Sequence, residues 1–209
     1  REIKKYSNKN IKIAFDEWNT YVEATPPYFI ENYNIADAIY AASLLNACIN
    51  RGDIITNTGI YHLINVMGNY RIEKKKIWKT PTTLVLELYT KFHKGKILKS
   101  VVNSSNFVSF KLGKQPEYKN NKLIDSSVTM NGKHMCMSVV NKSSSEKILL
   151  KVPYLDRIAE NYCIEGSNKV DLNTYENTSR VKIKKNSLKT SKGFLILPPH
   201  SISVVLFNK

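Results

Sequence analysis

The chain has 209 residues, of which 42% are hydrophobic, and a formal net charge of +15 from 32 basic and 17 acidic side chains. That can bury one large core or two small ones, and no run approaches the roughly 20 apolar residues of a membrane helix, so no membrane partner is expected. The lysines are scattered, densest at Lys74, Lys75 and Lys76 and at Lys182, Lys184 and Lys185, with no aromatic RNA-binding motif, zinc spacing or basic helix beside them; they read as solvated faces, and no nucleic-acid partner is expected.

The first element is the segment IKIAFDEWN, from Ile11 to Asn19. It is a short apolar run that ends in two carboxylates, an indole and an amide. Successive side chains on a strand point to opposite faces. Ile11, Ile13, Phe15 and Glu17 therefore share one face, and Lys12, Ala14 and Asp16 the other. If Ile13 and Phe15 fill a barrel interior, Glu17 is the next layer up and points into the mouth, where strand ends meet substrate. Trp18 sits where the strand breaks and is placed to wall a sugar subsite. Asn19 is expected to fix the following loop.

An irregular stretch, Thr20 to Tyr33, follows, with Pro26-Pro27 and several aromatics, among them Tyr28 as a wall of the site. Then comes a helix: Ile35, Ala38, Ile39, Ala42, Leu45 and Ile49 fall on one stripe, with Asn46 as its one polar member. Asn34 is its expected N-cap, Asp37 lies in its first turn and Gly52 is its expected stop. Asp53 to Ile60 reads as a short helical link, and Tyr61 to Met67 as a second buried strand. Lys74 to Lys76 is a charged loop. Thr80-Pro81 opens a second helix with buried Leu84, Val85, Leu88 and Phe92, ended by Gly95. The order is that of two βα units.

From about residue 97 the helical periodicity vanishes. Strands are expected near 97–103, 107–113, 123–130, 134–140, 147–153, 158–165, 179–184, 193–197 and 201–207, a spacing that suggests an antiparallel β-sandwich. The expected division is an α/β part over 1–96 and an all-β part over 97–209. Cys48, Cys136 and Cys163 form no CxxC pair, so neither a disulfide framework nor a zinc site is indicated. Reduced thiols in a cytoplasmic protein are the expectation.

Taken in order, these residues resemble the α-L-arabinofuranosidases of glycoside hydrolase family 51. FDEWN looks like that family's seventh barrel strand and DAIYAASLLNACINRGD like its seventh helix. YHLINVMGNY and KIWKTPTTLVLELYTKFHKG look like the eighth strand and helix. LIDSSVTM, MSVVNKS and FLILPPHSISVVLF resemble its C-terminal sandwich. The resemblance implies the last two βα units of a (β/α)8 TIM barrel followed by a jelly-roll-like sandwich.

It also implies a retaining, exo-acting hydrolase of arabinofuranosyl oligosaccharides from arabinan or arabinoxylan. Such an enzyme uses a nucleophilic carboxylate and an acid/base carboxylate about 5–5.5 Å apart. Glu17 matches the nucleophile. The acid/base Glu belongs to an Asn-Glu motif that appears nowhere in this sequence, so the chain alone is expected to be inactive. Trp18, His62 and Trp78 are the implied substrate-binding residues, His62 standing where the family often carries Gln and Trp78 either lining the site or packing beneath the eighth helix. No metal and no cofactor are implied; a homo-oligomer or a complementing N-terminal barrel part is the implied protein partner. The alternative is a non-catalytic β-sandwich module for carbohydrate binding or assembly.

Overall fold

The computed structural model describes residues 9–20, 33–113 and 115–208. Pro26, Pro27 and Tyr28 lie outside them. The first strand, β1 (Ile13–Trp18), is followed by helix α1 (Ile35–Asn50) and strand β2 (Ile55–Ile60). β1 and β2 pair in parallel, Ile13 opposite Ile55 and Trp18 opposite Ile60. The two strands and the helix between them therefore form a βαβ unit.

Helix α1 starts as the sequence indicates. The Asn34 side chain accepts from the Ala36 and Asp37 amides, and the Asp37 carboxylate accepts from the Asn34 amide, a reciprocal capping box. A partner for one further amide, and a second acceptor for Ala36, come from far along the chain. Ile35 donates to the Asp171 carbonyl and Ala36 to the Lys169 carbonyl, both at 3.0 Å. Arg51 is the C-cap, with Gly52 just beyond. A Cβ at Gly52 would meet the end of the Ile97 side chain, which would have to turn aside.

The second strand lies earlier than the sequence suggested. Residues 55–60, read as a helical link, form β2, while 61–67, read as a strand, form the loop beyond it. The β-branched Ile55, Thr56, Thr58 and Ile60 favour an extended backbone. In the loop, His62, Asn65 and Val66 have φ of 60°, 49° and 49°, a left-handed conformation that no strand accommodates. The charged loop at 74–76 is also more ordered than expected. Lys74 and Lys75 form the turn of a hairpin between β3 (Tyr70–Glu73) and β4 (Lys76–Lys79). Thr80 then caps α2 (Pro81–Phe92), with Pro81 at its first position.

The rest of the described chain is strand-rich. A six-stranded antiparallel sheet has the order β12-β11-β15-β9-β8-β5. Its members are β5 (Lys96–Leu98), β8 (Ile124–Asn131), β9 (His134–Asn141), β11 (Ile158–Glu165), β12 (Lys182–Lys185) and β15 (Ser201–Asn208). A three-stranded sheet holds β10 (Ile148–Lys151), β14 (Phe194–Leu197) and β13 (Lys189–Ser191). A separate hairpin joins β6 (Asn106–Ser109) and β7 (Tyr118–Lys122).

The large sheet is covered on both faces, and alternation along its strands chooses the layer. Cys136, Val140, Ile164, Ile202 and Val204 pack with Ala38, Ala42, Leu45, Val85 and Leu88 of the helices. Met137, Val139, Cys163, Val205 and Phe207 face the other way and pack with Leu195 and Leu197 of the small sheet. Double coverage explains near-continuous apolar runs such as ISVVLF, since a strand buried on both sides has no polar face to spare. All three cysteines are free and buried.

Asn46, the polar exception on the α1 stripe, sits at the helix–sheet contact. Its Oδ1 accepts from Tyr89 Oη (2.9 Å), Ser127 Oγ (2.8 Å) and Ser138 Oγ (2.5 Å). One amide therefore joins α1, α2, β8 and β9.

His93, the C-cap of α2, stands with Nδ1 3.1 Å from Thr129 Oγ1 and its ring against Tyr89. Burial pushes the imidazole down to about 4 from its ordinary value of 6.5. The unfolded chain takes up a proton near 6.5, the folded chain only near 4, so unfolding binds a proton in the interval between. Stability is then full above the unfolded value and falls as the solution is acidified toward 4. The expected loss is on the order of 2–3 kcal/mol. Urea unfolding at a series of pH values should show this slope, and His93→Gln should flatten it.

Candidate active site

The parallel pair β1–β2 ends at Trp18 and Ile60. The chain leaves both strands at this end, and both helices begin there, so loops and helix N-termini converge around the strand tips. This is the end at which α/β architectures assemble their chemistry.

Glu17 lies one residue before the tip of β1 and is solvent-exposed. Ile13 and Phe15, on the same strand face, are 36% and 37% exposed. The face expected to line an interior is thus open among the described residues, and the carboxylate stands at its upper limit. Asp16 is also exposed. Thr58 lies opposite Phe15.

The two tryptophans are core residues in this structure. Trp18 is 5% exposed and packs with the α1 and α2 side chains. Its indole N–H donates to Thr58 Oγ1 at 2.7 Å, locking the tip of β1 to β2. Trp78, on β4, is 7% exposed and donates to the Asn173 carbonyl at 2.9 Å. The Tyr175 ring meets it edge-on, 6.3 Å between centroids. The N–H groups of both indoles are therefore already engaged within the protein.

His62 follows β2 by two residues and is exposed. Its backbone carbonyl accepts from Asn69 Nδ2 at 3.0 Å, and its ring abuts Tyr61. Of the four residues singled out from the sequence, Glu17 and His62 are the two that reach solvent at the strand-tip end, while Trp18 and Trp78 lie beneath the surface. Asn19, expected to fix the loop after β1, has its Nδ2 on the loop after β2 instead. Its Nδ2 donates to the carbonyls of Met67 (2.9 Å) and Tyr61 (3.3 Å). At the ends of the irregular stretch, Tyr33 Oη donates to the Thr20 carbonyl at 3.2 Å.

Several supporting residues are invisible to sequence reasoning. Asn173 accepts from the Val181 amide and donates to the carbonyls of Val181 and Lys79, holding the hairpin against the loop before β12. Asp171, 4% exposed, accepts from the Ser167 and Asn168 amides and pairs with Arg180 at 2.7 Å. Lys74 and Lys76 sit over the Tyr175 ring, 5.1 and 4.3 Å from its centroid. A notch of about 150 Å³ opens between Arg71, Glu73, Trp78, Tyr175 and Glu176. The Glu176 carboxyl is held below its ordinary range by hydrogen bonds from its own amide and from Thr174. These partners lie some hundred residues apart in sequence, so no local pattern announces them.

An exposed carboxylate thus stands one residue before the tip of a parallel strand, with His62 exposed in the loop beyond its partner strand. A family model for the α-L-arabinofuranosidase C-terminal domain matches residues 16–201, and the chain belongs to that family. An intracellular exo-α-(1→5)-L-arabinofuranosidase of Streptomyces lividans is 28% identical over 121 residues, which is 51% of this chain and 18% of that protein. The α-L-arabinofuranosidase of Thermotoga maritima, solved with arabinose, superposes with a TM-score of 0.84 at 24% identity, covering 95% of this chain and 43% of that one. The thermostable family 51 α-L-arabinofuranosidase of Thermotoga petrophila gives 0.82 at 25% identity, with 94% and 43% covered. The chain corresponds to the C-terminal part of family 51 arabinofuranosidases and spans less than half the length of these relatives.

Proposed function

We propose that this chain is the C-terminal part of a retaining, exo-acting α-L-arabinofuranosidase in which Glu17 is the nucleophile. The single observation that carries the reading is the placement of Glu17, exposed one residue before the tip of a parallel strand whose apolar face is open. In this reading β1 and β2 are the last two strands of a (β/α)8 barrel. Residues 1–96 complete that barrel and residues 97–209 form a β-sandwich. The uncovered Ile13 and Phe15 are where the earlier strands close over the interior.

Glu17 attacks the anomeric carbon of a terminal arabinofuranosyl unit. The leaving oxygen takes a proton from an acid/base carboxylate supplied by the part of the barrel outside this chain. A covalent arabinosyl ester forms, and water released to attack by the same acid/base group regenerates the carboxylate. His62 hydrogen-bonds the sugar from the loop after β2. Trp18 and Trp78 shape the substrate site from beneath, by holding the walls that carry these groups. Neither metal nor organic cofactor takes part. The chain alone is inactive because one carboxylate cannot run both steps. A cytoplasmic setting accords with the three reduced thiols and with the name of the Streptomyces relative.

The test is capture of the intermediate in the complete protein. Acid quench during turnover of an arabinofuranoside with an activated leaving group should leave one arabinosyl unit on the peptide containing Glu17. An adduct on another carboxylate would reassign the nucleophile.

A further inference from the structure

Asn19 stands two residues beyond Glu17 and spends its whole amide on backbone. Nδ2 donates to the Met67 and Tyr61 carbonyls, and Oδ1 accepts from the Thr20 amide at 2.9 Å. Tyr61 and Met67 are the two feet of the loop that carries His62. Between them lie three non-glycine residues at φ of 60°, 49° and 49°, His62, Asn65 and Val66. For a β-branched residue such as Val66 this backbone is a genuine outlier. Strain of this kind persists only where surrounding contacts over-determine it, and it gathers at functional sites.

The contacts responsible are a set of asparagine amides. Asn69 donates to the His62 carbonyl, and the Ile72 amide donates to Asn65 Oδ1 at 2.7 Å. Those two bonds tie the loop to itself and to β3. Asn19 ties it to β1. The near foot has a second link, the Tyr61 amide to the Trp18 carbonyl at 2.9 Å, while the far foot at Met67 is joined to the strand by the Asn19 amide.

We infer that Asn19 is a positioning residue, whose amide clamps both feet of the 61–67 loop to the strand bearing Glu17 and so fixes His62 relative to that carboxylate. The inference rests on the reading of Glu17 as nucleophile and adds a residue that touches no reacting atom. Without the clamp, Asn65 and Val66 relax toward ordinary backbone, the far foot lifts, and His62 moves with it.

A double-mutant cycle in the complete protein tests it. Asn19→Ala and Asn19→Asp are each expected to lower kcat/KM on an aryl arabinofuranoside by about 100-fold, the cost of misplacing a site group by about 1 Å. Aspartate keeps the size and the acceptor for Thr20 but loses both donors, so it carries the cycle if the alanine variant does not fold. Combined with His62→Ala, the loss should not exceed that of the worse single variant, because both changes act on the same loop. Losses that multiply, or a normal kcat in Asn19→Asp, would overturn the clamp.

A second readout needs no turnover. In Asn19→Ala of this chain, which adds no charge, the imidazole NMR resonance of His62 should move, with those of His93, His134 and His200 unmoved. An unmoved His62 resonance overturns the clamp even where Glu17 is confirmed. A moved one supports it even where Glu17→Gln keeps its activity and the nucleophile must be sought elsewhere.

Discussion

Glu17→Gln in the complete protein should abolish turnover while leaving arabino-oligosaccharide binding nearly intact. The amide fills the same space at the tip of β1 but cannot attack the anomeric carbon. The covalent half-reaction disappears, and with it at least about a 10⁴-fold factor in kcat, more than about 5 kcal/mol of transition-state stabilisation. Binding should change only a few-fold, because the groups that hold the sugar are untouched. Initial rates on an arabino-oligosaccharide, with calorimetric titration of the variant, check both halves. Asp16→Asn is the matched control: it removes the neighbouring carboxylate, which points to the other strand face, and should retain substantial turnover. Near-normal activity in Glu17→Gln would remove the assignment.

The second large effect concerns folding. Asn46→Leu should lower unfolding free energy by about 3 kcal/mol, although leucine is close in volume and the position lies on an apolar stripe. The substitution withdraws the acceptor shared by Tyr89, Ser127 and Ser138. Ser127 and Ser138 can still bond one another at 2.8 Å, and Tyr89 retains the Ala42 carbonyl at 3.3 Å. The loss is therefore smaller than three full desolvation penalties. Replacing the partners as well, with Tyr89→Phe, Ser127→Ala and Ser138→Ala, should recover most of it, since removing both sides of a buried hydrogen bond can be nearly neutral. Denaturant unfolding of the single and quadruple variants decides the matter; a single-variant loss below about 1 kcal/mol would mean the cluster contributes little.

Much of this architecture is legible in the residues themselves. The caps of both helices were readable because Asn34 with Asp37 and Thr80 with Pro81 act on their own next turn. The strand over 201–207 was readable because a run buried on both faces, ISVVLF, is apolar over most of its length. β2 and the loop after it were not. ITNTGI offers little hydrophobic signal, and YHLINVM offers a false one, because its extended-looking apolar residues are turned back by left-handed positions that the Asn19 amide enforces from 48 residues away. Leu63, Ile64 and Val66 end 62%, 47% and 42% exposed. The extended segment that carries Glu17 was legible from its short apolar run. The environment of the two indoles was not, since their partners Thr58 and Asn173 lie 40 and 95 residues off.

The amides that open α1 are answered by carbonyls at 169 and 171, beyond the strand β11. This has a practical consequence for dissecting the molecule. A cut at residue 96, where helices give way to strands, would not yield two self-sufficient pieces. The N-terminal piece would keep the Asn34 cap but lose the acceptor of the Ile35 amide and the second acceptor of the Ala36 amide, and the C-terminal piece would bare one whole side of its largest sheet to water. Both products would be sticky, so soluble expression demands that the two halves travel together.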